Sequence, residues 1–185
     1  MRKTILTVAS VAALALPFFA LAPSASAAAP ATPTCKVSTG TAKFAPALPP
    51  LSKPNSKVLS TISSTGNVKT CTGGGVTSAT MTGKVKFKTP GNCTTLAEGT
   101  GGAITGTVTL KWNTGKTSTI GTAKLQQVKG AATNAVISGK ITAGLFVGKM
   151  ESQTISFTLK TGNCTSTALS AVSYTLKSGT TLTIK

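Results

Sequence analysis

The chain has no histidine and no aspartate, and its only carboxylate side chains are those of Glu98 and Glu151. Ser-His-Asp and Cys-His nucleophilic machinery therefore cannot be assembled from its residues. Two glutamates are the minimum for a glycosidase pair. However, Glu98 stands in a Gly-rich turn and Glu151 follows Lys149 along a strand, which predicts solvated or salt-bridged carboxylates rather than an acid and a nucleophile. A Ser-Lys dyad needs a lysine desolvated until neutral, and the lysines fall on the polar side of their segments. Neither enzyme activity nor a cofactor is expected, and no metal site, because the four cysteines lack the close pairing of a tetrahedral zinc centre.

Arginine occurs once, as Arg2, so every later cation is lysine. Lysine is a hydrated point charge on a flexible stem and lacks the planar fork that reads guanine and phosphate. Aromatics make up only 4% of the residues, with one Trp and one Tyr, too few to build base-stacking platforms. No specific nucleic acid is expected as a partner.

Long apolar runs are also scarce. The one of note spans Ile5 to Leu21, preceded by Arg2 and Lys3 and followed by Ala25-Ser26-Ala27. This is the pattern of a secretory signal peptide cleaved after Ala27, since Pro17 and Pro23 break the run as a membrane anchor. Residues 1–27 are thus read as signal, 28–34 as an extended, poorly ordered Ala/Pro/Thr leader, and 35–185 as one domain. No transmembrane helix is expected in the mature protein, and a secreted location follows, with association to the cell envelope as an extension of it.

What the chain has in abundance is threonine and positive charge. Of its 19 Lys and Arg, the mature part keeps 17, and subtracting Glu98 and Glu151 leaves +15. A charge of that size draws a protein to anionic cell-wall polymers or lipid surfaces in a salt-sensitive way. Lys84, Lys86 and Lys88 alternate with Val85 and Phe87 and are the stripe best placed for such contact. Strands also turn lysine outward merely to stay in water and to discourage edge pairing.

The clearest structural signal runs from Gly102 to Ile120. Ile104, Val108, Leu110 and Trp112 share one parity, and Thr105, Thr107, Thr109 and Lys111 the other, which is a two-faced strand. Asn113-Thr114-Gly115-Lys116 is a reversal, and Thr117-Ser118-Thr119 resumes a second strand, giving a hairpin. A switch of parity between Ile120 and Ala123 predicts a bulge near Gly121. Further alternating runs are Ala135 to Ile141, Ile155 to Leu159, Val172 to Leu176 and Leu182 to Ile184, with turns at 144–148, 161–163 and 178–179. Strands are also read at Cys35–Lys43, at Lys57–Ser63 and Asn67–Thr72 with Ser64-Thr65-Gly66 between them, and at Val76–Thr89. Gly73-Gly74-Gly75 is read as a turn, and the proline-rich 44–54 as a surface connection pinned by Phe44, Leu48 and Leu51. No helical period persists. The chain is therefore predicted to be all-β and antiparallel, a small closed barrel of meander hairpins first and a two-sheet sandwich second.

Two stretches echo each other. Residues 76–84 resemble 141–149, and 87–94 resemble 157–165, so Cys93 and Cys164 follow similar turns. Four cysteines in an exported chain predict two disulfides. Three pairings are available; Cys35 with Cys71 clips the amino-terminal strand to the sheet, and Cys93 with Cys164 joins the echoing turns. The Ala-rich export signal, the central text from Lys111 to Thr119 and the paired Gly-Asn-Cys-Thr turns resemble a loose group of small secreted β-rich proteins of actinobacteria. That resemblance covers most of the mature chain and implies no activity and no functional residues.

Three functional expectations follow. The first is a non-catalytic secreted domain that meets an anionic envelope or partner through lysines such as Lys84, Lys86 and Lys88. The second is a carrier whose interior, lined by residues such as Ile104, Leu110, Phe157 and Tyr174, holds a small apolar ligand. The third is a channel-forming envelope barrel, which would need an apolar outer band.

Overall fold

Alternation of apolar with Thr, Ser and Lys along nearly every segment leaves each strand one face to bury, and closing the sheet on itself buries all of those faces at once. A computed structural model of the chain describes residues 31–97, 104–128 and 133–185. The proposed signal peptide and its cleavage site, Glu98 and the start of the Gly102 stretch lie outside the described residues.

The strands are β1 (Thr34–Leu48), β2 (Thr61–Thr72), β3 (Ala79–Phe87), β4 (Ile104–Trp112), β5 (Thr117–Gln127), β6 (Asn134–Gly144), β7 (Met150–Thr161), β8 (Leu169–Leu176) and β9 (Leu182–Ile184), with one short helix, α1 (Cys93–Ala97). Each of the first seven strands pairs antiparallel with the next, and β8 returns to β1, so the sheet closes as an eight-stranded barrel. The barrel is the first of the two predicted architectures. β9 fills out the eighth position rather than adding a ninth: Leu176 of β8 pairs with Ile155 of β7, and Thr183 of β9 pairs with Ser152 on the same strand. Lys177, whose N–H donates to Thr154 O at 2.9 Å, begins the short excursion between the two pieces.

Each end of the barrel has its own packing and its own disulfide. At one end, Trp112 meets Phe146 edge to face at 5.7 Å. The Trp112 indole N–H donates to Ser118 Oγ at 2.8 Å, and that hydroxyl donates to Leu145 O at 2.5 Å. The Cys35–Cys71 disulfide joins directly opposed residues of β1 and β2 there. At the other end, α1 and the 161–168 turn are linked by Cys93–Cys164. Phe44 and Phe87 stack beneath them with ring centroids 6.4 Å apart. Both disulfides have the predicted partners, and they staple opposite ends.

The central hairpin, its Gly115 turn and the Gly73–Gly75 turn stand as read. The bulge in β5 falls where the parity switch put it, with register shifts between Thr119 and Lys124 and Thr122 at φ 51°.

Four local readings need correction. Phe44–Leu48 belongs to β1 and pairs through Phe44 with Ile62 and through Leu48 with Leu169. The donor that Pro46 lacks is absorbed by a register break against β8, and Pro46 O accepts from the Ser60 hydroxyl at 2.7 Å. The rest of that segment is pinned mainly by main-chain bonds, with Leu51 N–H donating to Cys164 O at 2.7 Å while the Leu51 side chain is exposed. Next, Ser64-Thr65-Gly66 is the middle of β2, not a turn. Gly66 and its neighbour Gly40 are needed there because Tyr174 lies across both. Third, α1 went unread because five residues carry too little period to detect; Asn92 caps it, its Oδ1 accepting from Thr95 N–H at 3.1 Å. Finally, the 76–84 and 141–149 echo is not structural, since the first runs into β3 and the second crosses the end of β6 into a turn.

Residues 31–33 of the leader are tied to the barrel. Pro33 is buried, and its carbonyl accepts from Ile184 N–H at 3.1 Å.

Candidate functional site

The inward parity of a closed barrel ordinarily fills its lumen with side chains. Here filling is incomplete. A cavity of about 110 Å³ lies inside the barrel, between the Trp112 end and α1. Aliphatic and aromatic residues from β1 to β8 line it, among them Ala42, Ile62, Met81, Ile104, Val108, Ile120, Ala123, Ile137 and Val172, with Leu96 of α1 on the side of the helix. Of the four interior residues named from the sequence, Ile104, Phe157 and Tyr174 line the cavity. Leu110 does not: it is fully buried toward the Trp112 end and opposes Met81 on β3.

Two small residues on neighbouring strands leave room in the lining: Ala123, displaced inward by the β5 bulge, and Ala135 present only methyl groups, while the space above Gly139 of β6 is taken by Ile120. Tyr174 lies flat over Gly40 and Gly66, its hydroxyl donating to Thr65 O at 3.4 Å. Its phenol is pushed up to about 12 by burial and stays neutral through the physiological range.

Polar groups enter this lining at few points. β7 contributes Glu151, Gln153, Ile155 and Phe157 on successive inward positions, the first two toward the Trp112 end. Glu151 is 1% exposed and Gln153 3%. Neither carboxyl oxygen of Glu151 has a hydrogen-bond partner, and Gln153 Oε1 has none. Burial pushes the Glu151 carboxyl up to about 8, against a smaller lowering by the neighbouring Gln153 amide. The geometry gives those oxygens no properly aligned donor, so desolvation sets the direction, and at neutral pH the carboxyl is largely protonated. This overturns the sequence reading of a solvated or salt-bridged glutamate: Glu151 has the parity of Ile155 and Phe157 and follows them inward. That alternation was the available signal. It was obscured by Lys149, which is exposed in the turn before β7 and points elsewhere.

Lys84, Lys86 and Lys88 are exposed, while Val85 and Phe87 between them are buried. Lys43 joins the stripe across the sheet: Lys43 of β1 and Lys84 of β3 both pair with Ser63 of β2, which puts them about 10 Å apart on the outer surface. Nothing in chain order groups Lys43 with the others, because that grouping depends on register.

Chemically, the interior offers one neutral acid, one amide, a phenol and the Ser64 hydroxyl in an apolar chamber. This is equipment for holding a molecule and orienting one polar end. Among the described residues no three His, Cys, Asp or Glu come together as a metal site. Comparison with protein-family models, with curated proteins and with solved structures finds no match.

Proposed function

We propose that this protein is a non-catalytic binding module whose barrel interior holds a small apolar ligand. The observation that carries this reading is the chamber itself, walled by aliphatic side chains between the Trp112 end and α1 and left unfilled at about 110 Å³. Apolar cavities approaching 150 Å³ stay dry and accept molecules the size of benzene, so the fitting ligand has about five non-hydrogen atoms. Long-chain lipids are excluded by that volume, since pockets for drug-sized ligands run from roughly 300 Å³ upward. The two disulfides support the export on which the reading depends, because such bridges persist in oxidising compartments.

Native mass spectrometry of protein exposed to small hydrocarbons and their polar analogues tests this reading. A one-to-one adduct is expected, and it should vanish when Ala123→Leu fills the chamber. Adducts that persist in the filled variant would place binding elsewhere and remove the idea.

A second reading has its own observation. The outward lysines Lys43, Lys84 and Lys86 form a cluster across β1 and β3, with Lys88 just past the end of β3, and no carboxylate is among the residues that pair with the first three. That surface suits an anionic cell-wall polymer or lipid headgroups, and it is compatible with a ligand inside. A channel-forming barrel fits less well, because the outward positions of β2 and β3 are Thr, Ser, Asn and Lys rather than an apolar band.

A further inference from the structure

Glu151 and Gln153 make the interior selective as well as apolar. Buried polar atoms are nearly always partnered, and leaving one unpartnered in a low-dielectric site is unfavourable. Here three oxygen atoms lie together on the inner face of β7 without a hydrogen-bond partner: both oxygens of Glu151 and Oε1 of Gln153. Both residues line the cavity. The Gln153 amide is the nearest donor and is not aligned to hydrogen-bond Glu151, and the opposing residues supply none. Gly139 and Ile184 oppose Glu151 on β6 and β9, and Ile137 opposes Gln153. Lys140, Lys149 and Lys185 flank the position along the chain but are exposed. The remaining titratable group in the lining is the Tyr174 phenol, which donates to Thr65 O.

A complementary ligand therefore brings donors and no acceptor, on a hydrocarbon body small enough for the chamber. A primary ammonium carries three N–H donors and no lone pair. Resting on the reading of the interior as a binding cavity, we propose that it takes a small aliphatic primary amine, the ammonium seated on Glu151 and Gln153 and the hydrocarbon among Ile120, Ala123, Ile155 and Phe157. An alcohol or hydrocarbon of the same shape fills the same space but leaves two or three of the acceptors unmet.

The pairing links binding to pH with a definite sign. In the empty protein the Glu151 carboxyl holds its proton up to about 8, and an ammonium binds the carboxylate. Seating the amine therefore expels that proton. Affinity rises about tenfold per pH unit between pH 6 and 7 and somewhat less up to 8. It levels off above that and falls once the amine itself loses charge near pH 10.

Isothermal titration calorimetry with isobutylamine, isobutanol and isopentane, each of five non-hydrogen atoms, tests the proposal on the intact disulfide-bonded protein. Expected are isobutylamine binding at least tenfold tighter than isobutanol at pH 8, and a Kd that weakens some 50-fold from pH 8 to pH 6. Titration at pH 7 in two buffers of different ionisation enthalpy should show nearly one proton released per amine bound. Glu151→Gln should abolish both the amine preference and the proton release while isopentane still binds. Neutral analogues binding as tightly as the amine, with no pH dependence, would overturn the amine assignment and leave the apolar carrier standing. None of the three binding at millimolar concentration would overturn both. Unchanged amine binding in Glu151→Gln would place the amine elsewhere and sink the proposal. Because the pH profile and proton release are read on the unaltered protein, the test does not depend on the variant folding.

Discussion

Tyr174 and Gly40 face each other directly across β8 and β1, and the phenol occupies the space that a side chain at position 40 would need. A β-carbon there would also run into the carbonyl of Thr65. Both obstacles are held by the barrel, so neither can retreat cheaply. Gly40→Ala is therefore expected to destabilise by about 2 to 3 kcal/mol, lowering Tm by roughly 5 to 10 °C. Gly148, at φ 86° with nothing near its would-be β-carbon, is the control for backbone strain alone, and Gly148→Ala should cost about 1 kcal/mol. Calorimetric melts of the two variants decide it; equal losses would mean that Tyr174 has slack to move.

Glu151 makes stability fall as pH rises. Its carboxyl is neutral in the fold up to about 8 but ionises near 4.5 once the chain unfolds. Below pH 4.5 both states are protonated and nothing is lost. Between those values the unfolded state sheds its proton first, and the fold loses up to about 5 kcal/mol by pH 8. Glu151→Gln removes the titration. The variant should match the parent near pH 4 and exceed it in Tm by several degrees at pH 8. Parallel pH–Tm curves for the two proteins would show that Glu151 finds a partner in solution.

The strands and their faces could be read directly from the chain because period-two alternation survives wherever one side is wet and the other dry, as in Val85 and Phe87 against Lys84, Lys86 and Lys88. The bulge at Gly121–Lys124 was legible for the same reason, as a break in parity. Register was not. That Tyr174 rests on Gly40 and Gly66 involves three strands far apart in sequence, and without it Gly66 looks like a turn residue. A ligand-holding interior was legible, with Ile104, Phe157 and Tyr174 in its wall, but its size and the rest of its lining were not: an unfilled volume is a property of which residues face one another, and Ala123 and Ala135 give no local sign that they do. Glu151 was misassigned because a charged residue next to lysine ordinarily stays in water, whereas here strand parity overrode charge.

The lysine stripe predicts salt-sensitive adhesion. At low ionic strength, about 0.01 M, the Debye length is about 30 Å, so Lys43 and Lys84, about 10 Å apart, act together on a polyanion, and physiological salt, with a Debye length of about 8 Å, weakens that joint action. Lys84→Glu with Lys86→Glu and Lys88→Glu should cut retention on vesicles rich in anionic lipid at least tenfold at low salt. The fold itself should be untouched, because all three side chains are exposed. Retention that survives both this charge reversal and 1 M salt would mean that the stripe serves solubility alone.

The two disulfides should be separable by what they hold. In the loop-closure picture, bridges spanning 36 and 71 residues each contribute about 4 kcal/mol, the longer one slightly more. Replacing either pair by alanine is thus expected to lower stability by similar amounts. Their local consequences differ. Cys35 and Cys71 already oppose each other in a continuous β1–β2 ladder, which survives the loss. Cys93 instead opens α1, a five-residue helix that carries Leu96 over the cavity and is otherwise tied down by the Asn92 cap and by Cys93 N–H donating to Pro49 O at 3.0 Å. So short a helix has no stability of its own. Hydrogen exchange at residues 91–97 should accelerate by an order of magnitude or more in the Cys93→Ala, Cys164→Ala protein. It should stay near the parent rate in the Cys35→Ala, Cys71→Ala protein once the global stability loss is matched with denaturant. Equal acceleration in both would mean that α1 opens only with the whole barrel, and that Cys93–Cys164 guards no separate entrance to the chamber.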